Sequence, residues 1–334
     1  MVSKQLSRGE KLKKALITGI NGQDGSYLSE LLLEKGYEVH GIVRRNSIPE
    51  NQTARIQNIY PEIKNNLYHA DVCDMSSLLS VVQKVKPDEI YNLAAQSHVR
   101  VSFDQPAYTL DTIGRGTLNL LEVVRLTDVN AKIYQASSSE MFGNSIDPDG
   151  FQRETTPMNP VSPYACAKLY AHSLTKCYRE SYDMFITNGI LFNHESPRRG
   201  ASFVTNKIAI GAVKIKKGLS KKLVLGNLDS TRDWGHAKDY VKVMWQLLQL
   251  ENPGDYICAT GKSHSVRQFC EKAFSKLDMN YEDHVVQDPK FFRPTELKHL
   301  KGSNEKLRNV IDLNFEYNFD SMIDEMIEYW MEKL

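Results

Sequence analysis

The sequence predicts an α/β fold, a doubly wound parallel sheet with a smaller, mostly C-terminal lobe. Three observations carry this. Short apolar runs alternate with helical patterns up to about residue 190, as strand–helix–strand units require,. A glycine loop, GINGQDG, stands between the first apolar run and the first helix,. Beyond residue 190 the pattern loosens into stretches rich in Arg, Asn, Gly and Pro: NHESPRRG, GNLDSTRDWG and FFRPTE.

Taken in order, residues 15–19 read as a buried strand. Leu28, Leu31 and Leu32 give helical spacing, which Gly36 ends,. Strands are expected at 39–43, 66–70, 89–94, 132–136 and 185–191, with helices at 78–84, 116–126 and 164–181 between them,. Near the end of the chain, Met322, Ile323, Met326, Ile327, Trp330 and Leu334 share one helical face and read as core packing,. The expected division is 14–190 with 234–262 as a dinucleotide-binding domain, 191–233 with 263–334 as a substrate-binding lobe, and 1–13 as a flexible extension,.

The bulk composition narrows the function. The 334 residues are 41% hydrophobic and 25% charged, ordinary for a globular protein, and are too many for one small core,. The net charge of +1 offers no general attraction for nucleic acid or membrane,. Five cysteines without a CxxC pair point to a reduced, cytoplasmic setting and no structural metal,. No apolar run approaches the roughly 20 residues of a membrane span.

Gly19, Gly22 and Gly25, between strand and helix, let backbone approach a pyrophosphate at the positive helix end,. The second strand ends Arg44-Arg45-Asn46-Ser47, where an NAD site would carry an acid,. Guanidinium groups suit a 2′-phosphate, so NADP is expected, the alternative being a solvated arginine pair. Asp71 and Val72, after the third strand, are placed near the adenine. Leu93, Ala94, Ala95, Gln96 and Ser97 are small enough in aggregate to let the dinucleotide lie close.

Three YxxxK pairs occur. Tyr60/Lys64 contains Pro61, and Tyr329/Lys333 lies at the C-terminus. Tyr164/Lys168 follows Ser162-Pro163, a cap and a first-turn proline, so one helical turn sets Tyr164 and Lys168 on one face,. The lysine's charge is expected to lower the tyrosine pKa and make a base of it. Ser138, at the end of the preceding strand, would orient a substrate hydroxyl. Glu140 is surplus to a simple dehydrogenase: a carboxylate beside an oxidised carbon can remove the acidified α proton and permit elimination, although Glu140 could also cap a turn or pair with an arginine.

With these residues in place, the chain resembles the extended short-chain dehydrogenase/reductases, whose dinucleotide domain is a Rossmann fold, and within them the GDP-mannose 4,6-dehydratase family. The resemblance runs from Lys14 over nearly the whole chain: GINGQDGSYL, LAAQSHVRVSF, SSSEMFG, SPYACAKLY, NGILFNHESPRRG, DSTRDWGHAKDYV, ATGKSHSVRQF and FRPTE. It implies that Gly19, Gly22, Gln23, Asp24 and Gly25 bind cofactor phosphates, that Arg44 holds the 2′-phosphate, and that Tyr108, Lys168, His194 and Arg199 also touch NADP. It implies that Asn193, Lys207, Gly226, Arg232, Arg293 and Glu296 hold the nucleotide sugar, GDP-mannose. It further implies a homodimer or homotetramer, with Arg45 near a subunit contact. Serine stands at position 138 where many family members have threonine, and the stretch between Phe269 and Phe291 is short.

The expected reaction is oxidation at C4, loss of water across C5–C6 and hydride return to C6, giving GDP-4-keto-6-deoxymannose. An added NADPH-dependent reduction of the 4-ketone is compatible with the same residues. The rivals are a nucleotide-sugar 4-epimerase, which would not need Glu140, another nucleotide-sugar dehydratase, and a non-enzymatic dinucleotide sensor, which would have no use for the Ser138–Tyr164–Lys168 set.

Overall fold

Seven parallel strands form the central sheet of the computed structural model, which describes residues 12–45, 52–291, 295 and 297–334. Six come early in the chain: β1 (Lys14–Thr18), β2 (Glu38–Val43), β3 (Leu67–His69), β4 (Glu89–Asn92), β5 (Lys132–Ser138) and β6 (Ile186–Leu191). The seventh, Asp255–Cys258, arrives late and pairs with β6. The spatial order is Asp255–Cys258, β6, β5, β4, β1, β2, β3. The order in which strands are added to the sheet reverses at β1, which pairs in parallel with β2 on one side and β4 on the other. A crevice therefore opens beyond the carboxyl ends of β1 and β4, where sheets of this kind take their ligands.

Both faces of the sheet are covered, which is why its strands read as nearly continuous apolar runs. One face packs Ile17, Tyr91 and Tyr134 against Leu28 and Leu32 of the helix Gln23–Glu34 and against Tyr240, Met244 and Leu247 of the helix Ala237–Leu248. The other packs Leu16, Ile90 and Ile133 against Val82, Leu120 and Val124. A second, separate core gathers Ile208, Ala212, Trp234, Phe269, Phe274, Met322 and Met326. Here a three-stranded sheet (Ser263–Ser265, Thr231–His236, Asn193–Glu195) and a two-stranded one (Val285–Gln287, Leu223–Leu225) accompany the helix Phe319–Lys333.

Several expected boundaries move, for local reasons. β1 stops at Thr18 because Gly19 turns to φ +71°. β4 stops at Asn92 because the amides of Leu93 and Ala94 both donate to the Thr18 hydroxyl, 3.0 Å each, instead of to a ladder. β5 runs on to Ser138, paired with Leu191, so Ser137 and Ser138 are strand residues rather than loop. On the last helix Met322, Ile323, Met326 and Ile327 are buried as expected, but Leu334 is exposed and Trp330 donates its indole N–H to Asn206 at 2.6 Å. The turns at Val99–Asp104 and Pro106–Leu110, and the π-helical turn Asp111–Arg115, had no periodic signal.

Candidate active site

The glycine loop is shaped by its own backbone. Gly22 N–H donates to the Gly19 carbonyl at 2.9 Å, closing the turn. A Cβ on Gly25 would run into that carbonyl and come within 2.7 Å of Ile20 Cα, so residue 25 has room for hydrogen only,. Around the loop lies a cavity of about 360 Å³ lined by Gly19, Gly22, Gln23, Asp24, Gly25, Arg44, Asp71, Val72, Leu93, Ala94, Ala95, Ser97, Tyr108 and Arg199. Of the residues expected at the cofactor, Gln96, His194 and Lys168 stand behind this lining. The Gln96 amide donates to the His98 carbonyl at 3.1 Å.

Four guanidinium groups face the cavity, from Arg44, Arg55, Arg198 and Arg199. Arg44 meets the Tyr108 hydroxyl and lies 5.6 Å from the centre of its ring. Arg55 is held by the Arg198 carbonyl at 2.7 Å, and Arg198 by Glu30 at 2.7 Å. Arg55 was invisible in the sequence because it sits on an isolated 3₁₀ turn, Ala54–Ile56, with no motif around it. Asn46 and Ser47, expected beside Arg44, lie outside the described residues.

Asp24 would repel a pyrophosphate, and the fold neutralises it. Its Oδ2 lies 2.9 Å from Nε2 of His194, whose Nδ1 lies 2.8 Å from the Phe192 carbonyl. Both ring nitrogens face acceptors, which only the imidazolium satisfies. The ring also stacks on Tyr240 at 4.7 Å. Burial opposes ionisation of Asp24, but the charge and hydrogen bond of His194, the Gln23 amide and Arg199 outweigh it and hold the carboxyl at about 2. For His194 burial again opposes the charge, and Asp24 more than offsets it, so its pKa is raised. Gln23 is fully engaged, donating to Asp24 at 3.0 Å and to the His194 carbonyl at 3.1 Å and accepting from Ser196 at 2.8 Å.

Tyr164 opens the helix Pro163–Tyr182, capped by Ser162, whose hydroxyl accepts from Ala165 N–H at 3.1 Å. Ser138 ends β5, with its hydroxyl near enough to the Tyr164 phenol to favour the phenolate. Its hydroxyl also accepts from the Glu140 N–H at 3.2 Å, which starts the 3₁₀ turn Ser139–Phe142. Met141 and Phe142 are fully buried and pin that turn, so Glu140 is held at the site and is itself 7% exposed. The apolar pair after the acid is thus an anchor, and Gly143 allows the exit: at φ +58°, a Cβ there would strike the Asn159 carbonyl. Of the three YxxxK tyrosines only Tyr164 is buried, at 9%; Tyr60 and Tyr329 are exposed.

One expectation is corrected. Lys168 does not lower the Tyr164 pKa in this structure. Burial pushes the phenol up to about 12, against the pull of the nearby Ser138 hydroxyl and the Arg199 charge, with Glu140 adding to the rise. The reason is where the ammonium goes: Lys168 Nζ donates to the Ala136 carbonyl at 2.7 Å and lies 5.9 Å from the Tyr164 ring centre. Burial brings Lys168 down to about 8, with Asp24 working the other way.

The residues expected at the sugar nucleotide are spread over the second lobe. Asn193 sits in the strand leaving β6, paired with Trp234. Lys207 lies 4.3 Å from the Phe291 ring, and Gly226 backs onto the Phe291 carbonyl, leaving 2.9 Å for a Cβ. Arg232 is buried and donates to the carbonyls of Thr231 (2.8 Å) and Leu297 (3.0 Å). Arg293 and Glu296 lie outside the described residues.

A doubly wound sheet, a glycine loop at its switch point and a Ser–Tyr–Lys set at the end of β5 define a dinucleotide-dependent enzyme of the short-chain dehydrogenase/reductase class. Solved structures of similar fold include a UDP-glucose 4-epimerase from Thermus thermophilus with NAD (TM-score 0.82, 23% identity, 96% of this chain and 100% of that one). A dTDP-glucose 4,6-dehydratase from Streptomyces venezuelae is also similar (TM-score 0.83, 21%, 96% and 97%). The family model for GDP-mannose 4,6 dehydratase matches residues 16–326. GDP-mannose 4,6 dehydratase 1 of Arabidopsis thaliana is 49% identical over 330 residues, covering 96% of this chain and 90% of the relative. The human GDP-mannose 4,6 dehydratase is 47% identical, covering 96% and 91%. The chain belongs to the GDP-mannose 4,6 dehydratase family.

Proposed function

We propose that the chain is an NADP-using hydro-lyase that converts GDP-mannose to GDP-4-keto-6-deoxymannose. The observation that carries the reading, beside family membership, is Glu140 buried beside Tyr164 and tied through its N–H to the Ser138 hydroxyl at the end of β5. An epimerase or simple dehydrogenase has no need of a carboxylate at that point.

Four arginines and a charge-neutralised Asp24 suit a polyanionic dinucleotide, with Arg44 at the 2′-phosphate,. When bound, NADP supplies the acceptor for hydride from C4, its return to C6 and, while oxidised, a positive ring that favours phenolate. Tyr164 takes the C4 hydroxyl proton, Ser138 orients that hydroxyl, and Lys168 holds the helix turn on the strand through Ala136,. The new ketone acidifies C5–H. Glu140 removes that proton and delivers one to the departing 6-hydroxyl, which leaves as water. After hydride reaches C6, C5 regains a proton, and hydride balance closes within one turnover. Asn193, Lys207, Gly226, Arg232, Arg293 and Glu296 hold the nucleotide sugar in this reading.

Residues 14–190 with 234–262 act as the cofactor unit, and 191–233 with 263–334 as the substrate lobe. A homodimer fits the exposed apolar side chains along the helical stretch 106–126 and the neighbouring helix Pro163–Tyr182, Leu110 and Tyr170 at one end, Leu126 and Tyr182 at the other. Tyr170→Glu should dissociate it in sedimentation. No helix among the described residues is long and apolar enough to cross a membrane.

The reaction is tested with GDP-mannose in D2O and a trace of NADP+. Loss of one water with one deuterium at C5 supports the reading. An unchanged formula with an inverted hydroxyl would mean epimerisation, and an unchanged substrate would remove the assignment.

A further inference from the structure

The helix that carries Tyr164 and Lys168 is fastened to the sheet by a seam of polar side chains, of which the reaction uses only Lys168. Positions 164, 168, 172, 175 and 179 recur every third or fourth residue and form one stripe facing β5 and β6,. Lys168 donates to the Ala136 carbonyl. His172 Nδ1 lies 3.0 Å from Ser137 Oγ. Thr175 donates to Asn188 at 2.8 Å, and Asn188 donates to Asp255 at 2.8 Å. Arg179 grips Asp255 with two nitrogens, 3.0 and 3.2 Å, and donates to the Ile186 carbonyl. A helix is ordinarily docked with apolar residues. Buried polar ties cost desolvation but fix direction and register.

Within this seam the tie closest to the reacting groups, after Lys168, is Ser137–His172. Both residues are more than nine-tenths buried. Ser137 precedes Ser138 on β5, so holding Ser137 fixes the strand end from which Ser138 and then Glu140 project. Ser137, His172 and Asp255 superficially form a nucleophile triad. Yet Ser137 is sealed between sheet and helix, and His172 Nε2 is 3.9 Å from Asp255, beyond a hydrogen bond,. The arrangement holds rather than reacts.

The ring's charge state follows from its surroundings. Nε2 faces Asp255, so the proton belongs there and Nδ1 accepts from the Ser137 hydroxyl. Burial drives the imidazole pKa down. Asp255, on the neighbouring edge strand, works against that, and Arg179 and Lys176, on its own helix, reinforce it. Ser137 and Asn188, from β5 and β6, are uncharged. Protonation of Nδ1 removes the acceptor that Ser137 uses.

We propose that His172 is a positioning residue for the dehydration: as hydrogen-bond acceptor for Ser137, it seats the Tyr164–Lys168 helix on the strand end that carries Ser138 and Glu140. This rests on the reaction proposed above. The test compares His172→Leu, His172→Asn and Ser137→Ala in the full chain loaded with NADP. His172→Leu is expected to lower kcat about tenfold or more, the order that a small misplacement of reacting groups costs, with KM and bound NADP little changed. His172→Asn keeps an acceptor near the Nδ1 position and restores most of kcat, but it cannot be protonated and loses part of the acid limb of the kcat–pH profile. Ser137→Ala matches His172→Leu, and the double variant is no worse than either.

A His172→Leu protein with wild-type kcat and pH profile overturns the proposal, as does a loss confined to KM or to NADP content. If His172→Leu does not fold, His172→Asn decides: an acid limb identical to wild type overturns it. If the wild type leaves GDP-mannose unchanged, the assigned reaction fails separately. The seating is then read from the His172 ring signal in NMR titration, which must move when Ser137 becomes Ala; an unmoved signal overturns the tie.

Discussion

Asp24 and His194, 170 positions apart, meet in a buried ion pair 2.9 Å long that joins the glycine loop to the strand leaving β6. The two groups lose their charges at opposite ends of the pH scale. Asp24 titrates at about 2 in the fold, below its ordinary value, so its contribution is present above about pH 4 and is lost as pH falls towards 2,. His194 is raised, so its contribution is full below its ordinary value near 6.5 and is lost as pH rises through the folded pKa,. The contribution of this pair to the thermal stability of the cofactor-free protein is therefore expected to be greatest between about pH 4 and 6.5 and to decline on both sides,. Asp24→Asn should flatten that profile and cost about 3 kcal/mol at pH 6, since it strands a buried cation. Melting curves across pH check this, and an unaltered profile would remove the pair's role.

Glu140→Gln keeps the shape of the turn pinned by Met141 and Phe142 and removes only the carboxylate proposed as base. Water loss from GDP-mannose should fall at least about a hundredfold, the scale of general acid–base catalysis, while the protein still folds and retains NADP. Product mass and cofactor content report the two halves independently.

Lys168 is placed against stability. Its ammonium is buried and its pKa is brought down to about 8, so at pH 7 the fold carries a charge it would rather not hold. The sign is that of a depressed cation: the cost is complete below pH 8 and absent above the ordinary lysine value near 10.4. Lys168→Met should raise the unfolding free energy of the cofactor-free protein at pH 7 by about 1–3 kcal/mol after the lost bond to Ala136 is allowed for, and abolish turnover. A variant both less stable and inactive would contradict this account.

Arg44 is predicted to distinguish the two dinucleotides. Arg44→Ala should weaken NADP by about 2 kcal/mol, roughly thirtyfold, and leave NAD nearly unaffected, because a charged hydrogen bond to the 2′-phosphate is lost in one case only. Calorimetric titration with both cofactors measures the ratio, and equal losses for both would place Arg44 elsewhere.

The parts legible in the sequence are those written locally. Gly19, Gly22 and Gly25 mark a turn whose cause is steric and short-range, and Ser162-Pro163 marks a helix start that the cap hydrogen bond repeats in space. The strands announced themselves because both sheet faces are covered. What stayed hidden is long-range or irregular. Arg55 reaches the cavity from an isolated turn, and the π-helical turn at Asp111–Arg115 has no periodicity to detect. The Thr18 hydroxyl ends β4 by capturing two amides more than 70 positions away. The Tyr164 pKa was misjudged because a YxxxK spacing states that the two side chains share a face but not that the ammonium prefers a carbonyl on another element.

The late arrival of the strand Asp255–Cys258 bears on how the protein is made. A chain emerging from the ribosome presents the glycine loop first and Tyr164 next, but until residue 194 has appeared Asp24 faces the crevice without its counter-charge. Until residue 258 has followed, β6 remains an open edge. A chain cut short before residue 194 would keep the phosphate-binding signature but leave Asp24 without its counter-charge.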